Sequence, residues 1–129
     1  MKVVVIGAGA SGLMAAYAAV CAGNDVFVIE KNHRPARKVM ITGKGRCNVT
    51  NSCDVKDFIA NVPQNPRFLY SCINRFSTND TIDFFESMGV PLKVERGDRV
   101  FPISDKAVDI VDALYNSCKG CKFIFDAVA

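Results

Sequence analysis

The apolar positions fall into short blocks, and the length and period of each block predict most of the elements. Val3-Val4-Val5-Ile6 is a continuous β-branched run, the pattern of a strand covered on both faces of a parallel sheet. Gly7 to Gly12 reads as a tight turn. Ala10 to Ala22 follows as a helix of mostly small residues, closed by Gly23-Asn24. Val26-Phe27-Val28-Ile29 is a second strand, ending at Glu30. Strand, glycine turn, helix and strand make a βαβ unit, with the right-handed crossover such units adopt.

Beyond Glu30 the pattern loosens. Residues 31–53 read as loop with a short helix over 37–41, and helical segments follow near 54–61 and 66–75. Ser77 to Met88 is a clearer helix: Ser77 and Asp80 are spaced as a capping box, Phe84, Phe85 and Met88 form an apolar face, and Gly89 suits the C-terminal cap. Residues 92–95 and 99–101 flank Arg96-Gly97-Asp98 as a β-hairpin. The most periodic helix places Ala107, Ile110, Val111, Leu114, Tyr115 and Cys118 on one face, with Asp105, Asp109 and Asp112 away from it. Phe123-Ile124-Phe125 reads as a last strand, expected to join the first two. Phe68, Phe76, Phe84, Phe85 and Phe101 are expected in the core.

Gly7-Ala8-Gly9-Ala10-Ser11-Gly12 changes the picture from fold to ligand. It matches G-x-G-x-x-G between a strand and a helix. Gly7 permits the turn, Gly9 lets a pyrophosphate approach the backbone, and Gly12 lets the helix pack against the sheet. The helix N-terminus offers free N–H groups to a phosphate. Glu30, at the end of the second strand, is placed to accept ribose hydroxyls, and its charge argues against a 2′-phosphate there. These features define an α/β fold with a Rossmann-type βαβ unit and parallel strands. A glycine turn that binds nothing is the bland alternative. The chain divides on this reading into a βαβ unit (1–30), a cofactor loop (31–53), a helical and hairpin insertion (54–103), and a returning helix and strand (104–129). Three parallel strands are few for a complete doubly wound sheet, so a truncated domain is expected.

Composition adds two points. The 129 residues carry a net charge of +3, yet residues 31–53 hold Lys31, Arg34, Arg37, Lys38, Lys44 and Arg46 with no acid. Such a local basic stretch suits an anionic ligand better than a long polyanion. No aromatics interleave with it, so no nucleic-acid partner is expected. No stretch reaches membrane-span length without glycine or polar breaks, so no membrane association is expected. The six cysteines are read as mostly reduced in a cytoplasmic protein.

The ADP-binding unit by itself serves FAD and NAD equally, but the basic loop leads into a second glycine motif. Ile41-Thr42-Gly43-Lys44-Gly45-Arg46-Cys47-Asn48-Val49-Thr50-Asn51 resembles the signature of the BaiN/RdsA-type flavoproteins, described as NAD(P)/FAD-dependent oxidoreductases. The resemblance covers nearly the whole chain. It implies a glutathione-reductase-like fold and FAD as cofactor, with contacts at Gly7, Ala8, Gly9, Ala10, Ser11, Gly12, Glu30 and Lys31. Lys38 and the loop residues Thr42, Gly43, Gly45, Arg46, Cys47 and Asn48 would lie near the pyrophosphate and flavin, and Ala127 or Val128 near the adenine. The implied activity is two-electron transfer at the flavin, on a small-molecule substrate, with NAD(P)H a candidate electron donor. Ala36 departs from the family, which commonly has glycine there, and family members are considerably longer. The other readings are a non-catalytic dinucleotide-binding module and an NAD-dependent dehydrogenase.

Three candidates have plainer readings. Arg46 is read as stabilising flavin or pyrophosphate charge, against pairing with a nearby carboxylate. Cys47 is read as a packing cysteine in preference to a redox thiol paired with Cys53. Cys118 and Cys121 close a helix, where the dipole raises a thiol pKa, so Cys118 is read as core and Cys121 as incidental. No side chain stands out as a catalytic acid or base.

Overall fold

The computed structural model describes residues 1–129. The first βαβ unit forms where the pattern places it: β1 (Lys2–Ile6), α1 (Ala10–Cys21) and β2 (Asp25–Ile29). β1 and β2 run parallel, in register from Lys2↔Asp25 to Ile6↔Ile29. The chain then forms a short helix α2 (Arg37–Ile41), a 3-10 turn (Thr42–Gly45) and a two-residue strand β3 (Thr50–Asn51). Helices α3 (Val55–Ala60), α4 (Pro66–Arg75) and α5 (Thr78–Ser87) follow. The hairpin β4 (Leu92–Glu95) and β5 (Arg99–Pro102), helix α6 (Ala107–Ser117) and strand β6 (Lys122–Ile124) complete the chain.

β6 pairs parallel with β2, giving the order β1-β2-β6. This is the 3-2-1 half of a doubly wound sheet. A second, antiparallel sheet has the order β3-β5-β4. β3 is too short to show a period; it exists because Thr50 and Asn51 pair with Val100 and Arg99 of the hairpin.

The parallel sheet is covered on one face only. Val26 and Val28 are fully buried, and Val3, Val5 and Phe123 of the same row pack against the core containing Leu13, Ala16, Ile110 and Leu114. The alternate row is open, with Val4 56%, Ile6 63% and Ile124 45% exposed. The β-branched run therefore does not mark a strand covered on both faces in this chain. α1 and α6 both pack on the same row, and burial follows the packing partner, not strand composition.

The capping box at Ser77 and Asp80 is formed, and the buried Phe84 and Phe85 sit on the inner face of α5. Phe101 is buried as well, but Phe68 and Phe76 are not core residues: they are 81% and 42% exposed. α4 packs against α3 and buries none of its residues fully, so its aromatics have no core to enter. Tyr115 of α6 is also partly exposed, whereas Ala113 takes a buried position.

Candidate functional site

Each glycine of the first turn meets a distinct constraint. Gly7 has φ +91° and donates its N–H to the Ile29 carbonyl at 2.7 Å, which locks the turn to β2. A Cβ at Gly12 would lie 1.9 Å from the Gly7 carbonyl oxygen, so no side chain fits. A Cβ at Gly9 would meet nothing within 4 Å. The absent side chain there leaves open space in front of the helix, as a ligand cradle requires. α1 starts at Gly9 with no side-chain cap and no acid in its first turn, so its N–H groups stay available to an anion.

Glu30 is 7% exposed and ties the turn to the loop after β2. Its Oε2 accepts the Ala8 N–H at 2.7 Å, and its Oε1 accepts the Asn32 N–H at 2.8 Å and the Asn32 side-chain amide at 2.5 Å. The Asn32 backbone bond above all, then the Ala8 bond, holds the carboxyl below the usual carboxylate range despite its burial. Oε2 keeps capacity for a second donor such as a ribose hydroxyl. The Ala8 carbonyl is held as well, by the Ala36 N–H at 2.8 Å. Asn32 belongs to no sequence motif; its one signal is its position two residues after a strand-ending acid.

Glu30 also positions the C-terminal residues. Its N–H donates to the Ile124 carbonyl at 2.9 Å, and its carbonyl accepts the Ala127 N–H at 3.1 Å. A cavity of about 170 Å³ results, in which Gly7, Glu30, Lys31, Ala127 and Val128 meet between Ile6 and Ile29. The sequence-predicted adenosine residues are thus neighbours.

The second predicted segment forms a strained loop. Gly43 (φ 55°, ψ 31°), Lys44 (φ 58°, ψ 41°) and Cys47 (φ 60°) all occupy left-handed backbone. A Cβ at Gly43 would approach the Asn48 nitrogen to 3.0 Å and the Phe101 ring to 3.2 Å. The Cys47 N–H donates to the Thr42 carbonyl at 3.1 Å, and the Val49 N–H to the Val100 carbonyl at 2.9 Å. With its amide turned so that nitrogen faces the carbonyls of Thr50 and Val100, the Asn48 side chain donates to them at 2.9 and 3.2 Å. The loop therefore stands on the hairpin. Thr42, Cys47 and Asn48 share a cavity of about 350 Å³ with Ala10 and Ser11, backed by Phe84 and Phe85. Both glycine segments converge at the N-terminus of α1.

Arg46 faces the other way. Its guanidinium pairs with Glu95 and with Asp105 at 2.6 Å, and lies 4.2 Å from the centroid of the Phe101 ring. Lys93 completes the cluster, 2.8 Å from Asp105. This is the carboxylate-paired arrangement, and it clamps the loop to the hairpin. Lys31 and Lys38 are exposed and take part in none of the ion pairs. Burial pushes the Cys47 thiol up, as it does for Cys118, which is fully buried; Cys121 is pushed up to about 11 by burial first. None of these is poised as a thiolate.

The parallel half-sheet, the glycine turn at a helix N-terminus and the acid at the end of β2 define an α/β dinucleotide-binding domain of the Rossmann type. The open cradle at Gly9 and the second glycine loop beside it leave room for an extended dinucleotide such as FAD. The HI0933-like protein Rossmann domain matches residues 1–127, and the chain belongs to that family. It is 35% identical over 115 residues to the 3-dehydro-bile acid delta(4,6)-reductase of Clostridium scindens, covering 88% of this chain and 27% of that protein. It is also 35% identical over 116 residues to the ribosomal RNA dihydrouridine synthase of Escherichia coli, covering 90% of this chain and 28% of that protein. The chain thus spans about a quarter of the length of these curated relatives. The fold is shared with a flavocytochrome c3 fumarate reductase (TM-score 0.72, 24% identity, 97% of this chain and 26% of that one). It is also shared with THI4 of Thermovibrio ammonificans (TM-score 0.61, 14% identity, 96% and 38%). One relative is named for a small molecule and another for ribosomal RNA, so the relatives do not carry the expectation that nucleic acid is excluded. No helix is long and apolar enough to cross a membrane.

Proposed function

We propose that this chain is the FAD-holding part of a flavin-dependent oxidoreductase acting on a small molecule, with a reduced nicotinamide nucleotide as electron donor. The observation that carries the reading is the convergence of two glycine segments on one helix N-terminus, with the Glu30 carboxylate behind the first. Gly7, Ala8, Gly9, Ala10, Ser11 and Gly12 supply backbone to the pyrophosphate. Glu30 and Lys31 receive the adenosine ribose, and Val128 covers the adenine side. Lys38, Thr42, Gly43, Gly45, Cys47 and Asn48 face the flavin half, and Arg46 fixes that loop through its carboxylate pairs. FAD supplies two-electron transfer when bound; these residues orient it and stabilise its charge. Two relatives named as reductases or synthases of reduced or modified products support the oxidoreductase class, and six cysteines without a disulfide suit a cytoplasmic setting.

The test is the absorption spectrum of the purified protein before and after denaturation. Bands near roughly 370 and 450 nm, with FAD released on unfolding, are expected. A protein that takes up NAD but no flavin overturns the reading.

A further inference from the structure

Besides the two cavities at the glycine turn, a third lies between α2 and α6. It encloses about 500 Å³, within the range of roughly 300–1,000 Å³ typical of small-molecule pockets. It shares no lining residue with either of the others. Its walls are apolar: Met40 and Ile41 from α2 face Val108, Val111 and Tyr115 from α6. Val111 is buried at the base, but Ile41 is 75% exposed, and Met40, Val108 and Tyr115 are each 38–39% exposed. So many large apolar side chains around one concavity are unusual on a surface unless something covers them.

The rim is cationic. His33, Arg34 and Arg37 stand around the opening. The ion pairs of the chain engage Arg46, Lys93 and Lys122, and neither Arg34 nor Arg37 takes part in one. Arg37 donates only to the Asn32 side-chain oxygen, at 2.9 Å, which orients its guanidinium without neutralising it. The one acid on the lining is Asp112, which also forms no ion pair. Two guanidiniums with free donor edges beside an apolar wall match a molecule that carries an oxyanion group, such as a carboxylate or sulfonate, on an apolar body.

We propose that this cavity is a second ligand site, separate from the FAD site, for a small organic anion with an apolar ring system. Arg34 and Arg37 bind the carboxylate or sulfonate, and the ring system lies between Ile41 and Tyr115. Asp112 opposes the anion and sets an upper limit on affinity. The site does not depend on the redox assignment, because its residues and those of the glycine turn are distinct.

The test uses naphthalene-2-sulfonate as probe, titrated into the 129-residue chain and followed by amide and methyl chemical shifts. Saturable shifts at Arg34, Arg37, Ile41, Val108 and Tyr115 are expected, and they persist with FAD at saturation. The neutral isostere naphthalene-2-sulfonamide is expected to bind at least about fivefold more weakly, as is the sulfonate to the double variant Arg34→Gln/Arg37→Gln. The Arg34→Lys/Arg37→Lys variant binds more weakly than the parent but more tightly than the double glutamine variant, and Asp112→Asn gains about twofold. Dispersed amide spectra of each variant confirm that it is folded. Shifts confined to the open sheet face at Val4, Ile6 and Ile124, equal binding of the sulfonamide, or displacement by FAD would each overturn the proposal.

Discussion

The Glu30 carboxylate accepts the Ala8 backbone N–H at 2.7 Å, so the acid that ends β2 is bonded directly to the glycine turn that follows β1. One oxygen serves the turn and the other serves Asn32. Glu30 therefore shapes the cradle before any ribose reaches it. Replacing it with alanine leaves the buried Ala8 N–H unpaired and is expected to destabilise the fold by about 1–3 kcal/mol, read from urea unfolding. A variant as stable as the parent would show that the bond is incidental.

The same carboxyl gives a pH signature. Hydrogen bonds hold its native pKa below the ordinary glutamate value of about 4.3 in the unfolded chain. Glu30 therefore adds stability that is fully present above that unfolded value and is lost as pH falls through the lower native value. The stability difference between the parent and Glu30→Gln should be constant from pH 7 to about pH 5 and shrink below about 4.3. A difference independent of pH down to 3 contradicts this account.

Gly12 and Gly9 separate folding from binding. At Gly12 a methyl group would overlap the Gly7 carbonyl oxygen, and Gly12→Ala should cost at least about 3 kcal/mol or prevent folding. At Gly9 the methyl meets no protein atom, so Gly9→Ala should fold with a stability change within about 1 kcal/mol. Its FAD affinity should nevertheless fall at least about tenfold, or about 1.4 kcal/mol, because the methyl enters the pyrophosphate cradle. Thermal melts and cofactor titrations of the pair check both halves.

Ala36 shows how magnitudes decide a sign. It holds φ 52°, a conformation that costs an L-residue about 1–2 kcal/mol, which glycine would relieve. Glycine also gives up a buried methyl worth about 0.8 kcal/mol and adds about 0.4–1 kcal/mol of unfolded-state entropy. The opposing contributions nearly cancel, so Ala36→Gly should change stability by less than about 1 kcal/mol. Ala36→Val combines a β-branched residue with positive φ in a packed site, and should cost more than about 2 kcal/mol in the same assay.

Cysteine accessibility tests the packing of the second loop. Cys21 and Cys72 are exposed, whereas Cys47 and Cys118 are buried with thiols pushed up by that burial. Iodoacetamide labelling followed by mass spectrometry should modify Cys72 and Cys21 at least about tenfold faster than Cys47, whose labelling requires local opening. Fast labelling of Cys47 would restore a reactive-thiol reading.

The elements most legible in the sequence are those set by local rules. The βαβ unit follows from its period and glycines, the α5 start from the Ser77–Asp80 box, and the hairpin from Arg96-Gly97-Asp98. Where the sequence misleads, the answer depends on distant partners. Val4 and Ile6 look buried because they are β-branched, but both helices pack on the opposite row. Phe68 looks like core because it is aromatic, but α4 lies outside the core. Arg46 stands among glycines as a ligand residue would, yet its partners Glu95 and Asp105 lie 49 and 59 residues away. No local pattern announces such pairs. Asn32 was hidden for a different reason: its role lies in orienting Glu30, and supporting residues carry no motif.

The most direct test of the central claim is titration of the apo chain with FAD, NAD and NADP under one set of conditions, followed by flavin fluorescence and calorimetry. FAD should bind at one site, with affinity at least about tenfold above either nicotinamide nucleotide, and Gly9→Ala should lower the FAD affinity at least about tenfold while the variant stays folded. Tighter binding of NAD, or FAD binding unchanged in Gly9→Ala, would contradict the assignment of the glycine turn as the FAD cradle.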